Sequence, residues 1–347
     1  MDKKTVFTTI AYNAERTLRN TMESVLGQTA GNLEYYILDN GSADGTGDII
    51  REFAARDARV HPLAEETNTP MRRFDPEFLG FKDLEYDYWV MLDADDQYKP
   101  DFLEKAIAFI EETGAGIACV GSDFIDGPTG RELGKRQNPA PGVLDARALE
   151  RFFPESYQFL RTIWGKLYRK SVIESLDWDR YYGFNLGNGR DTLFVFHALE
   201  RVEKLAILSG TLHRYYLWPN SIYKTWNNAR AKAYSVLFAE GERLLKLKAG
   251  AVSPRNLDFL LLVYMSSVVD MMNPLFTSEI PQEEKIAAAL EIFSSPEMRL
   301  LAKTKVSQEA QKRVLLDAAC SFLKLDLVRN SEFAREAAEL CAALQGG

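Results

Sequence analysis

The run YWVMLDADDQYKPDFL, residues 88–103, places three carboxylates, Asp93, Asp95 and Asp96, directly after an apolar stretch. Carboxylates crowded at the end of a buried strand repel one another and lose hydration, so they persist at low cost only beside a cation. Carboxylate oxygens select hard divalent ions such as Mg²⁺ or Mn²⁺, often shared with a substrate phosphate. The alternative is an acidic strand-to-helix loop, with Pro100 opening the helix and Asp101 favouring its N-terminal dipole. Asp39 closes a second apolar run, LEYYILD, ahead of the turn NGSADGTGD, and Tyr12 follows the run KTVFTTI. Taken alone, Asp39 reads equally well as an N-cap or turn aspartate, and Tyr12 reads as a core aromatic.

The elements that must carry these residues are patterned. KTVFTTI, residues 4–10, is β-branched and aromatic, as a first strand requires. From Ala14 to Leu26, Leu18, Met22, Val25 and Leu26 recur at helical spacing, and Gly27 closes the helix. A second strand ends at Asp39, a helix spans about Ile49 to Ala55, and a short strand covers Val60 to Leu63. An irregular stretch runs from Glu65 to Pro76. A helix from Pro100 to Glu112 carries Phe102, Leu103, Ala106, Ile107 and Ile110 on one face, and residues 116–125 form another strand. This alternation predicts an α/β sheet of mostly parallel strands, in which ligands bind at the carboxyl ends of the strands. Tyr12, Asp39 and Asp93 each fall just past a strand end, which gathers them into one site. Residues 131–150 read as irregular and polar, and aromatics crowd from Phe152 to Phe184. That crowd fits either a core or a carbohydrate-stacking wall. Long helical periodicity begins near Asn227, so the chain is expected to divide into residues 1–226 and a helical region, 227–347.

Composition narrows the classes. With 347 residues, 46% hydrophobic and 27% charged, the chain suits a soluble globular protein of two domains or one enlarged domain. A net charge of −8 and a pI near 5.2 argue against a nucleic-acid partner. Cys119, Cys320 and Cys341 lie far apart and imply neither a disulfide framework nor a zinc site. No long apolar leader precedes the first strand. The longest apolar run, Phe259 to Val269, has eleven residues, too few to cross a bilayer, and reads as a buried helix. A cytoplasmic protein without a transmembrane segment is expected, with peripheral membrane association left open. Gly41, Gly45 and Gly47 do not make GxGxxG, and no GxxxxGK[ST] run occurs, so dinucleotide and P-loop readings fail.

Four blocks in order, TIAYNAERTLRNTMESVLGQT, YILDNGSADGTGDII, VMLDADDQYKPDFL and GNGRDTLFVFHAL, resemble the family 2 glycosyltransferases over about residues 4–225. The resemblance implies the GT-A fold, a Rossmann-like mixed sheet flanked by helices, here with an added C-terminal helical region. Ile10 stands where the family has proline, Asn40 where it has the second aspartate of DDGS, and Arg190 where it has the glutamate of GED. By resemblance, Asp39 accepts a hydrogen bond from the nucleotide base, typically uracil N3–H, with the block of Ile10 and Tyr12 packed beside it. Such a charge-assisted bond discriminates well. Asp93 supports the ribose or the metal, Asp95 contacts the metal, and Asp96 is a further ligand or a partner of one. Arg72 is the basic contact to the donor. Asp191 becomes the general base that takes the acceptor's proton, against the plainer reading of a helix N-cap. Arg190, if close, would weaken it as a base. Trp164 and His213 are assigned to the acceptor side.

The implied function is inverting, Mn²⁺- or Mg²⁺-dependent transfer of a sugar from a nucleotide-diphosphate sugar, a UDP-sugar first, to a saccharide or glycolipid hydroxyl. Surface polysaccharide synthesis is the expected setting. The C-terminal helices would bind acceptor, dock a partner or form a homodimer. A nucleotidyltransferase would need a Gly-rich, basic triphosphate loop, which FTTIAYNAERT lacks. A non-catalytic transferase-like module acting through its helical tail is the other rival, and the intact LDADD argues against it.

Overall fold

The computed structural model describes residues 3–69, 73–138, 142–219, 226 and 229–345. The chain falls into two compact units, Met1–Asn185 with Asp191–Ser221, and Leu186–Arg190 with Ile222–Gly347.

The first unit is built on one ten-stranded sheet. Its strands are β1 (Thr5–Ala11), β2 (Leu33–Asn40), β3 (Val60–Glu65), β4 (Tyr88–Met91), β5 (Gln97–Tyr98), β6 (Ile117–Asp126), β7 (Glu132–Arg136), β8 (Gly142–Leu144), β9 (Lys166–Arg169) and β10 (Leu205–Leu217). They lie in the order β3-β2-β1-β4-β9-β6-β10-β5, with β7 beside β6 and β8 beside β10. β1 runs parallel to β2 and β4, β2 to β3, and β6 to β10. β9 is antiparallel to both β4 and β6, and β5, β7 and β8 also pair antiparallel. The sheet is therefore mixed, as a GT-A fold requires, rather than mostly parallel as strand–helix alternation suggested. The difference arises at the short strands β5, β7 and β8 and at β9, which lies within the aromatic crowd where no alternation is visible. Residues 131–150 are likewise more ordered than expected, holding β7, β8 and the helix Ala146–Arg151. β7 is largely exposed and carries no apolar alternation to betray it.

β1 sits between two parallel neighbours and buries every residue but Ile10, which explains its β-branched, nearly continuous apolar sequence. Helix Leu18–Leu26 begins four residues later than its pattern suggested and buries Leu18, Thr21, Met22 and Val25. Full burial of each large apolar side chain contributes roughly 1.5–3 kcal/mol. Helix Phe102–Thr113 stops at Gly114, whose φ of 64° is the left-handed cap that glycine adopts without strain. The aromatic crowd is mostly core. Phe153, Tyr157, Phe159, Trp164, Tyr168 and Tyr181 are buried, and Phe74 meets Trp178, Tyr181, Tyr182 and Phe194 edge-on.

The second unit is helical among the described residues, with Ala229–Ala249, Pro254–Thr277, Gln282–Ser294, Pro296–Lys303, Glu309–Leu323, Asp326–Arg329 and Ala334–Gln345. The eleven-residue apolar run lies inside Pro254–Thr277, a helix of 24 residues that is long and apolar enough to cross a membrane by length and composition. The helix is thus more than twice as long as the eleven-residue run, and length does not keep it from spanning a bilayer. One stripe of that helix, Leu260, Leu261, Tyr264, Met265, Val268, Met271 and Leu275, is buried.

Candidate active site

β1, β2 and β4 end side by side, Ala11 pairing with Asp39 and Thr8 with Met91. Leu92 N donates to Thr8 O at 3.0 Å and Thr9 Oγ1 donates to Leu92 O at 2.8 Å, so the chain leaves the sheet at Asp93. A tight turn follows, Asp96 N donating to Asp93 O at 3.2 Å. One carboxylate oxygen from each of Asp93, Asp95 and Asp96 then lies within 4.8 Å of the others. Two hydroxyls from the first helix region clamp this turn. Thr17 Oγ1 lies 2.9 Å from Ala94 O, and Thr21 Oγ1 lies 3.0 Å from Ala94 O and 2.9 Å from Asp96 O. Neither threonine was singled out from the sequence. The signal was there in Thr21, a hydroxyl on the apolar face of a helix, which needs a partner when buried.

The cluster is electrostatically unbalanced. Asp96 is fully buried. Its Oδ1 accepts from Tyr216 N at 2.9 Å, while its Oδ2 has no hydrogen bond among the described residues and stands 3.4 Å from His213 Nε2. Burial, and then the charges of Asp93 and Asp95, push the Asp96 carboxyl well above its ordinary range. Burial raises Asp95 as well, and pushes Asp93 up to about 8, with the charges of Asp191 and Asp95 adding to it. His213 cannot balance them, because burial and the nearby Arg136 and Lys166 hold its imidazole well below its usual value and therefore neutral. An orphaned carboxylate oxygen within an all-oxygen donor set fits a hard divalent cation.

The other expected residues are placed unequally. Asp39 is half-buried at the end of β2, and its Oδ1 accepts from Ser42 N at 3.0 Å. The turn that follows needs Gly41, whose φ is 75° and where a Cβ would lie 2.4 Å from the Thr67 backbone. Tyr12 is 46% exposed, so the core reading of that ring is set aside. Asn13 after it adopts a φ of 48°, donates from N to Ser42 Oγ at 3.0 Å and accepts from Ala43 N at 2.9 Å. These bonds join the Tyr12 turn to the Asp39 turn. Ile10 is half-buried in β1. Asp191 lies in the first turn of helix Arg190–Glu200, near enough for its charge to act on Asp93.

Trp164 and His213, assigned to the acceptor side, are 5% and 0% exposed; their rings stack 4.5 Å apart, and His213 Nε2 stands 3.4 Å from Asp96 Oδ2. Arg72 lies outside the described residues, and its neighbour Arg73 donates from Nε to Asp75 Oδ2 at 2.8 Å.

Asn40, a departure from the family pattern, has a visible role. Its Nδ2 donates to Asn68 Oδ1 at 2.9 Å and Thr69 O at 3.1 Å, and its Oδ1 accepts from Thr69 N at 3.3 Å. An aspartate could not donate. Asn40→Asp, although it restores the commoner family residue, should therefore lower unfolding free energy by about 1–3 kcal/mol in urea titration. Unchanged stability would refute this clasp.

Residues 7–176 match the family model described as glycosyl transferase family 2. This segment is a family 2 glycosyltransferase domain. Among curated relatives, the putative glycosyltransferase EpsH of Bacillus subtilis is 25% identical over 257 residues, 71% of this chain and 68% of its own length. The glycosyltransferase GlyA of Streptococcus pneumoniae is 26% identical over 65% of this chain, which spans only 32% of that relative. The putative teichuronic acid biosynthesis glycosyltransferase TuaG of Bacillus subtilis is 33% identical over 34% of this chain and 46% of its own length. A solved structure of TarS residues 1–349 from Staphylococcus aureus, in complex with UDP-GlcNAc, is 15% identical with a TM-score of 0.49, covering 98% of this chain and 88% of that one. The glycosyltransferase domain thus holds the acidic turn, Asp39 and Tyr12 within the matched segment, while Asp191 lies beyond it in the same compact unit.

Proposed function

We propose that the protein is an inverting, divalent-metal-dependent glycosyltransferase that takes its sugar from a UDP-linked donor. The observation that carries this is the set of three carboxylates within 4.8 Å at the end of β4, with Asp191 acting on Asp93. Asp95 and Asp96 would hold Mn²⁺ or Mg²⁺, with Asp93 supporting the ribose or the ion. When bound, the ion acts as a Lewis acid toward the diphosphate. Asp39 keeps an oxygen for a base N–H, and exposed Tyr12, tied to the same turn, offers a face for the base. Asp191 accepts the proton of an acceptor hydroxyl as that oxygen attacks the anomeric carbon, and a positioned base of this kind contributes about 10²–10⁴-fold. Synthesis of a surface polysaccharide is supported by the teichuronic acid biosynthesis named for one relative. Acceptor binding or self-association is the role proposed for the helical unit.

Calorimetric titration with UDP, GDP, CDP and dTDP, each with and without Mn²⁺, tests the donor assignment. Mn²⁺-dependent binding of UDP in preference to the others is expected. Absence of binding by all of them would remove the assignment, and preference for another nucleotide would replace UDP.

A further inference from the structure

Lys166 is a lysine only 1% exposed, on the strand β9. Its Nζ donates to Thr162 O and, at 3.4 Å, to Trp164 O. Among the described residues no carboxylate lies within ion-pair distance of it, although Asp191 is close enough for its charge to be felt. A buried ammonium with no such partner is costly, and an apolar side chain of the same shape often serves stability as well or better. Its partners show what it holds. Thr162 and Trp164 belong to a turn that passes through Gly165 at a φ of 69°. That turn has two further ties. Gly165 N donates to Tyr98 Oη at 2.8 Å, and Tyr98 Oη lies 3.3 Å from Met91 O, on the strand that delivers the acidic turn. At the other end, Thr192 Oγ1 donates to Arg161 O at 3.2 Å, and Thr192 follows Asp191 in its helix.

The geometry points to Lys166 as a positioning residue for sugar transfer, stapling the turn 161–165 that fixes Asp191 relative to the acidic cluster. The inference rests on the functional reading above. The turn is a hydrogen-bonded route between the strand end and the helix start, and Lys166 ties it with two carbonyl contacts. Burial pushes the lysine down to about 8, while the charges of Cys119 and then Asp191 pull the other way. Misplacing a reacting group by about 1 Å can cost roughly 10²-fold in rate, so a loosened turn should slow the chemistry without removing the donor pocket.

The test uses the full chain, the nucleotide selected by calorimetry and release of nucleoside diphosphate from the matching nucleotide sugar. Lys166→Met should bind nucleotide within about twofold of wild type and turn over at least about tenfold more slowly. Lys166→Arg, which keeps charge and donors, should retain more activity than Lys166→Met. Wild-type turnover in a folded Lys166→Met protein overturns the inference, as does a parallel loss of nucleotide binding and rate. Should Lys166→Met fail to fold, Thr192→Val and Thr192→Ser decide. A rate loss in the valine variant that the serine variant recovers supports the inference, and equal, wild-type rates in both overturn it. A wild-type protein that neither binds nucleotide nor turns over refutes the functional reading itself, and the inference with it.

Discussion

Asp191→Asn should leave nucleotide binding within about twofold and lower turnover by about 10²–10⁴-fold. The substitution separates the two roles that this position admits. Asp191 is the second residue of helix Arg190–Glu200, where asparagine forfeits only a charge–dipole contribution of about 0.3–1 kcal/mol, so a residue that merely supports the helix start would tolerate the change. An amide cannot accept the proton of an attacking hydroxyl, so a base would not tolerate it. The charge of Asp191 also contributes to the raised value of Asp93, and its removal relieves repulsion in the acidic cluster. Preserved turnover in a folded Asp191→Asn protein would remove the base assignment.

Asp95→Ala should abolish the Mn²⁺ dependence of nucleotide binding, with an affinity loss of about 10²-fold or more, because even residues behind metal ligands cost 10–100-fold. The same cluster carries a pH signature. Asp93 is pushed up to about 8 in the folded chain, against an ordinary value of about 3.9. The stability it contributes is full below that ordinary value and is lost as pH rises through about 8. A bound divalent cation favours the ionised form and reverses that loss. Added Mn²⁺ should therefore raise the melting temperature more at pH 8 than at pH 6, and Asp95→Ala should blunt the difference. An equal rise at both values, or none, would count against a metal seat formed by these carboxylates.

The sequence announced the parallel half of the sheet because β1, β2 and β4 are buried and bear dense β-branched or aromatic residues. It concealed β7 and β8, whose short, exposed segments have no periodicity, and β9, which is embedded among aromatics. The acidic turn, Asp39 and Tyr12 could be gathered in advance because strand ends in such sheets converge. Their supports could not. Thr17, Thr21 and Asn40 act through carbonyls distant in sequence, and nothing in residue type says which carbonyl will be near. Lys166 was hidden for the opposite reason, since a lysine reads as surface until its burial is known. Trp164 and His213 are chemistry-bearing by residue type, but a sequence does not say that their rings are buried.

Asp96 is oriented by the main-chain N–H of Tyr216, with no side chain of β10 taking part in that bond. That N–H arrives opposite the carboxylate because β10 slips twice against β6, between Ile207 and Thr211 and again between Thr211 and His213, around Gly210 at a φ of 75°. The aim of the deepest carboxylate is thus written in residue counting. The side chain at position 216 can drift across generations without disturbing it. One residue inserted or deleted between 207 and 213 would slide the N–H away and turn His213 to the opposite face of the sheet. Lineages carrying this arrangement should therefore show varied letters at position 216, and an unvarying length from 207 to 216.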